Sequence, residues 1–183
     1  MCLLIFLTLF VNFVNFVNSE YCVCTTVSCP EVGGNHIVMG NGNANMYYYY
    51  INRGEFNVIL SANGTINTNS LDNGSETTSC TQKYSRLLED DGNADCDAGH
   101  ILANRLGGYG NEPLNIFPQD PSINRGSYKT MESQIYDCMI EDNIGYLSWN
   151  FYYENSTSTK PNQVHYAVYF DKLCDKIDNI FSN

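Results

Sequence analysis

Positive charge is what this sequence has least of. Nine Lys and Arg stand against 20 Asp and Glu, a formal net charge of −11. A surface that acidic repels polyanions over most of its area, which argues against a broad basic patch for nucleic acid or anionic membrane. The few cations are unevenly spread, because Lys83, Arg86, Arg105, Arg125 and Lys129 all fall between positions 83 and 129. Long apolar runs are scarce too. After residue 19 no stretch approaches the roughly 20 apolar residues that a membrane-spanning helix needs. Internal repeats and long low-complexity tracts are also missing, which excludes solenoid and linker-like architectures.

The first 19 residues carry no charge at all. Their apolar run from Leu3 to Val17 is broken only by Thr8, Asn12 and Asn15, and Val17 and Ser19 are small residues at the positions a signal peptidase reads. Residues 1–19 therefore read as a signal peptide, and residues 20–183 as one mature, secreted domain with no membrane attachment after cleavage. Seven cysteines remain in that mature chain: Cys22, Cys24, Cys29, Cys80, Cys96, Cys138 and Cys174. An oxidising compartment pairs up to six; the odd one is a thiol, a dimer contact, or a sign of a different cleavage point. Cys22-X-Cys24 and Cys29 lack a second ligand pair at zinc spacing and read as disulfide cysteines of a stapled arm from Glu20 to about Pro30. Asn63, Asn73 and Asn155 begin Asn-X-Ser/Thr acceptors that mark surface loops of a glycoprotein. The acidic run Glu89, Asp90, Asp91, Asp95 lacks calcium-loop spacing, and His36 and His165 have no ligand pattern around them.

Residues 46–70 read as β structure: Tyr47 to Tyr50, then Phe56 to Leu60, then a turn at Asn63-Gly64 into Thr65 to Thr68. The tyrosine run is expected to put two rings in the core and two at the rim, rather than to form a base-stacking platform. Residues 71–95 read as a loop with at most a short helix around Tyr84 to Leu88. A short apolar run, Ile101 to Ala103, precedes a second loop through Gly107, Gly108, Gly110 and Pro113. Start signals at Pro121 and Ser122 introduce a helix from about Asn124 to Glu141, with an apolar stripe at Tyr128, Met131, Ile135 and Cys138. Leu147 to Tyr153 and Gln163 to Phe170 read as two further strands.

The chemistry concentrates between Asp97 and Glu132. Asp97-Ala98-Gly99-His100 is followed by Asn115-Ile116-Phe117-Pro118-Gln119, then by Asn124-Arg125-Gly126. Phosphodiester hydrolysis needs a base for water, a cation at the scissile phosphate, and further positive charge for the transition state. His100 is the natural base, because an imidazole is partly unprotonated near neutral pH. Asn124 offers a neutral, hard amide oxygen suited to a Mg²⁺ ion that keeps most of its waters, with Mn²⁺ as the alternative metal. Glu132 lies two turns along the same drifting helix face and can hold a metal-bound water. Arg105, Arg125, Tyr128 and Lys129 are the candidate substrate contacts.

The order Asp-X-Gly-His, Asn-X-X-Pro-Gln, Asn-X-Gly and a downstream Glu resembles the DNA/RNA non-specific endonucleases of the ββα-metal (His-Me finger) fold. It is most similar to their secreted toxin-type branch, through Gly99-His100-Ile101-Leu102-Ala103 and Arg105-Leu106-Gly107-Gly108. Ala98 stands where many members carry arginine, and Cys96 is outside the pattern, read here as a disulfide anchor. The resemblance implies an α+β fold with a central antiparallel sheet, and DNA and RNA as substrates cleaved to leave a 5′-phosphate. It also implies His100 as general base, Asn124 as the single direct Mg²⁺ ligand, and Asn115 and Glu132 as positioners of the base and the metal's waters. Arg86 would stabilise the pentacovalent phosphate, with Arg105 or Arg125 as substitutes. The competing reading, favoured by the acidic charge, is an inactive disulfide-stapled binding or effector protein on the same scaffold.

Overall fold

The computed structural model describes residues 35–40, 42–88, 95–141, 144–172 and 174–183. The leader, Cys22, Cys24, Cys29 and Glu89 to Asp91 lie outside the described residues. The chain is α+β. Strands β1 (Asn35–Met39), β2 (Asn45–Arg53), β3 (Phe56–Asn67), β6 (Ile144–Tyr152), β7 (Gln163–Phe170) and β8 (Ile177–Ser182) form an antiparallel sheet in the order β1-β2-β3-β6-β7-β8. Between β3 and β6 the chain leaves that sheet. It forms α1 (Ser79–Leu87), a separate hairpin of β4 (Asp97–His100) and β5 (Ile116–Gln119), the single turn α2 (Pro121–Ile123), and α3 (Lys129–Met139).

Alternation builds the large sheet. Along β2, Met46, Tyr48 and Tyr50 are buried while Tyr47 and Tyr49 are 37% and 40% exposed, the expected division of the tyrosine run. The inner face meets Trp149, Phe151, Val164, Tyr166 and Val168 and packs against Tyr128, Met131 and Ile135 of the helical side. Each such large side chain contributes roughly 1.5–3 kcal/mol by leaving water. Trp149 and Tyr166 meet edge to face with centroids 4.5 Å apart, and the Trp149 indole donates to Tyr128 Oη at 3.0 Å.

Asn63-Gly64 is not a turn. Both residues lie inside β3, where Asn63 pairs with Tyr47 and Ser148, and Gly64 with Met46 and Leu147. The reversal comes earlier, between Arg53 and Phe56, where Gly54 takes a left-handed φ of +63°. Gly64 is instead a close-approach glycine: a Cβ there would lie 2.1 Å from Asn45 O. Pairing on both flanks outweighs the local turn preference, and Asn63 sits exposed on a strand, not in a loop. The short helix expected near Tyr84 to Leu88 starts earlier, at Ser79, because Thr78 and Thr81 cap it reciprocally.

Cys138 and Cys174 form a disulfide that ties the end of α3 to the β7–β8 connection. Cys80 is also disulfide-bonded. Cys96, expected to be a disulfide anchor, is a buried thiol immediately before β4. Among the described residues no helix is long and apolar enough to cross a membrane.

Candidate active site

The β4–β5 hairpin and the helix start that follows it carry the site. In β4, Asp97 pairs with Gln119 and His100 with Ile116. Gly99 lies between them under the Gln119 side chain, and a Cβ there would fall 2.2 Å from Gln119 Oε1. Only glycine lets that side chain cross the strand.

Asp97 organises the helix start. Its Oδ2 accepts from Asn124 Nδ2 at 2.9 Å and from Arg125 Nε at 2.8 Å, and its Oδ1 accepts from Arg125 Nη2 at 2.6 Å. Partial burial pushes this carboxyl up, but the hydrogen bonds from Arg125 and Asn124 outweigh it and hold the group below the ordinary carboxylate range. A carboxylate only accepts, so the Asn124 amide must turn its NH₂ toward Asp97 and its Oδ1 away. Asn124 also begins a π-helical turn, Asn124–Tyr128, in which Gly126 departs from helical geometry. Such turns interrupt the helical ladder and are frequent at functional sites.

His100 is half-buried at the end of β4, its Nε2 3.2 Å from Ser75 O. A carbonyl only accepts, so the proton sits on Nε2 and Nδ1 keeps the lone pair. Burial pushes the imidazole below its ordinary value, against the opposing pull of Ser75 O and Glu76. The ring is therefore neutral near pH 7, the state a general base requires.

Glu132, on the first turn of α3, is half-buried, and burial lifts its carboxyl to about 7 against the pull of Arg105 and Lys129. Arg105 lies over the Tyr136 ring at 3.8 Å, and the Tyr136 hydroxyl donates to Asp72 at 2.6 Å. Arg105 and Lys129 thus serve Glu132, and Arg125 serves Asp97. These cations act on Glu132 and Asp97 rather than on His100, where Glu76 is the charged group that acts.

One expected role changes. Tyr128 is not a substrate contact: it is fully buried, accepting from Trp149 and packed against Phe117, Tyr166 and Phe181. The 3.6-residue stripe that included it was a core stripe, and the core claimed it. Arg86 is exposed near the end of α1, and its neighbour Ser85 reaches β4 by donating to Asp97 O at 3.4 Å. No contact brings Arg86 to His100 among the described residues.

Asn115 is fully buried with every polar atom engaged. Its Oδ1 accepts from Tyr48 Oη at 2.8 Å and Leu102 N at 2.9 Å, and its Nδ2 donates to Leu102 O at 3.0 Å and Tyr109 O at 3.1 Å. It pins the backbone that follows His100, with no amide hydrogen left for the ring. Asp97 is the functional residue that motif reasoning leaves without a role, although a carboxylate three residues before His100 is a visible signal. Ser75 and Glu76 carried none, since they stand in a polar loop.

Among the described residues no three His, Cys, Asp or Glu side chains cluster as a metal cage. What the site offers instead is an Asn124 amide oxygen turned away from Asp97, the Glu132 carboxyl two turns along the chain, and Gln119 Oε1, a buried acceptor without a partner among the described residues. Orphaned buried acceptors call for a water or ion. One protein oxygen plus acceptors for waters fits a hard divalent cation that stays largely hydrated.

Residues 39–168 match the family described as DNA/RNA non-specific endonuclease. The probable deoxyribonuclease RhsA of Dickeya dadantii is 41% identical over 111 residues, which is 61% of this chain and 7% of that relative's length. The metal-free crystal structure of NucA from Streptococcus agalactiae superposes with a TM-score of 0.59 at 14% identity, over 78% of this chain and 72% of that one. Its magnesium-bound form gives 0.57 at 13% identity, over 81% and 78%. At those identities the likeness is one of fold.

Proposed function

The chain belongs to the DNA/RNA non-specific endonuclease family, and on that premise we propose that it is a secreted, magnesium-dependent enzyme hydrolysing phosphodiester bonds in DNA and RNA. The observation that carries this reading is that strand β4 bears both a neutral imidazole anchored through Nε2 and the Asp97 carboxylate that claims the Asn124 NH₂ and leaves its oxygen for a ligand. His100 Nδ1 takes a proton from water, whose oxygen attacks phosphorus as the bond to the leaving sugar oxygen breaks. Asn124 Oδ1 would hold the cation, with Glu132 and Gln119 as acceptors for its waters; when bound, the cation supplies charge neutralisation at the phosphate and leaving oxygen. Mn²⁺ meets the same ligand set. Arg105, Lys129 and Arg125 supply the remaining positive charge, and contacts limited to phosphate leave the sugar unread.

Secretion would expose the three sequons, and Asn155 is the best presented of them. Its Oδ1 accepts from Thr157 N and Oγ1, leaving Nδ2 exposed, whereas Asn73 Nδ2 is spent on Asn69 O and Leu71 O. The deciding assay is degradation of plasmid and RNA with Mg²⁺, Mn²⁺ or chelator. Wild type is expected to degrade both with metal only. Should it leave both intact under every metal and pH, the chain is a binding scaffold and the enzyme reading is lost.

A further inference from the structure

We propose that Glu76 is a positioning residue for His100: its carboxylate, anchored on Asn104, stands beside the imidazole and stabilises the protonated ring formed when the base takes a proton from water. The inference rests on the function proposed above and adds a residue that the family motif does not contain.

The geometry comes from two segments docked edge to edge. Gly74 N donates to Asn104 O at 3.0 Å, Ser75 N to Gly108 O at 2.9 Å, and Gly110 N to Ser75 O at 3.0 Å. This docking demands glycine, since a Cβ at Gly110 would lie 2.3 Å from the Glu76 carbonyl carbon. It delivers Ser75 O to His100 Nε2, and Glu76, the next residue along the chain, is the charged group whose field acts on the ring. The Glu76 side chain is fixed from the other side, where Oε1 accepts from Asn104 Nδ2 at 2.5 Å. Asn104 belongs to the short turn that leads away from β4, so one residue ties the carboxylate to the strand that bears the base.

The other charged groups on the neighbouring elements are committed elsewhere or face solvent. On α1, Lys83 and Arg86 are exposed. In the docked segment and its partner loop, Asp72 accepts from Tyr136 and Arg105 lies on the Tyr136 ring. Glu112 is buried and accepts from Leu114 N, and β5 carries no charge. When Nδ1 gains its proton, the ring becomes a cation while the O–H electron pair passes to the new P–O bond. A fixed carboxylate beside that cation lowers the cost of forming it.

The test is the NMR titration of the His100 ring in the purified full chain, with His165 as an internal reference. In Glu76→Gln the His100 midpoint should fall by roughly half a pH unit, as expected for loss of one solvent-screened charge at close range. Glu76→Asp should restore part of that shift, and Asn104→Ala, which frees the carboxylate, should reproduce part of the loss. In nuclease assays the acid limb of the Glu76→Gln rate profile should move to lower pH by the same amount, with a plateau rate about threefold lower. An unmoved His100 titration in both Glu76→Gln and Asn104→Ala overturns the proposal, even if either variant loses stability. A shifted titration in a chain that cleaves nothing upholds this contact and sinks the enzymatic reading instead.

Discussion

The six-stranded sheet and the β4–β5 hairpin are held together by different means. The sheet relies on alternation and apolar burial: Tyr48, Ala62, Trp149 and Tyr166 lie on one inner face, and backbone ladders satisfy the rest. The hairpin is four residues a side, too short to stand on its own ladder. It is fixed by polar clamps, namely Asn115 on the loop after His100, Asp97 on the helix start, and Ser75 on the base. Where reacting groups must be placed to within fractions of an ångström, directional bonds define the position better than apolar contact does. The same comparison predicts which substitutions damage stability and which damage chemistry.

The largest effect is expected from His100→Ala, which should cut turnover by about 10³-fold or more while moving thermal unfolding by less than about 1 kcal/mol. A loss of folding in that variant would mean the hairpin holds the structure as well as the site. Trp149→Ala is the converse, costing about 4 kcal/mol by cavity formation and leaving the kcat of the folded fraction near wild type. Asn115→Ala bridges the two regions. It strands buried partners at Tyr48, Leu102 and Tyr109 and should cost about 3 kcal/mol, and, unlike Trp149→Ala, it should also lower kcat at temperatures where the protein stays folded.

Glu132→Gln should change stability less than Trp149→Ala or Asn115→Ala, and with the opposite sign. Burial raises the folded-state carboxyl from 4.5 to about 7, so ionisation disfavours the fold and wild-type stability falls as pH rises through that window. The variant should therefore be more stable than wild type by about 2 kcal/mol at pH 8 without metal, equal to it near pH 4, and slower in cleavage at either pH. Denaturant melts at the two pH values decide it; a variant no more stable at pH 8 would show that the carboxyl is not strained by the fold.

The segments that bear the candidate site were more legible in the sequence than the scaffold around them. The order of His100, Asn115, Asn124 and Glu132 located the hairpin and the helix start because those residues stand within 33 positions and obey local rules of strand, cap and helix. Strand β7 was legible to the residue, since Val164, Tyr166 and Val168 alternate without competing signals. Asn63-Gly64 misled because a turn-forming dipeptide is local, while the two flanking strands that override it are distant in sequence. Tyr128 misled for a related reason. Whether a helix side chain faces solvent or core depends on where the sheet lies, and the chain carries no local mark of that. The grip of Asp97 on Arg125 spans 28 positions and likewise had no local signature.

The bond between Cys138 and Cys174 encloses a 36-residue separation that contains both β6 and β7. A protease that nicks the chain once anywhere inside that span, the exposed stretch at Glu154 to Thr157 included, leaves two fragments still covalently joined at the end of α3. The clasp lets the protein survive a cut there without shedding either half.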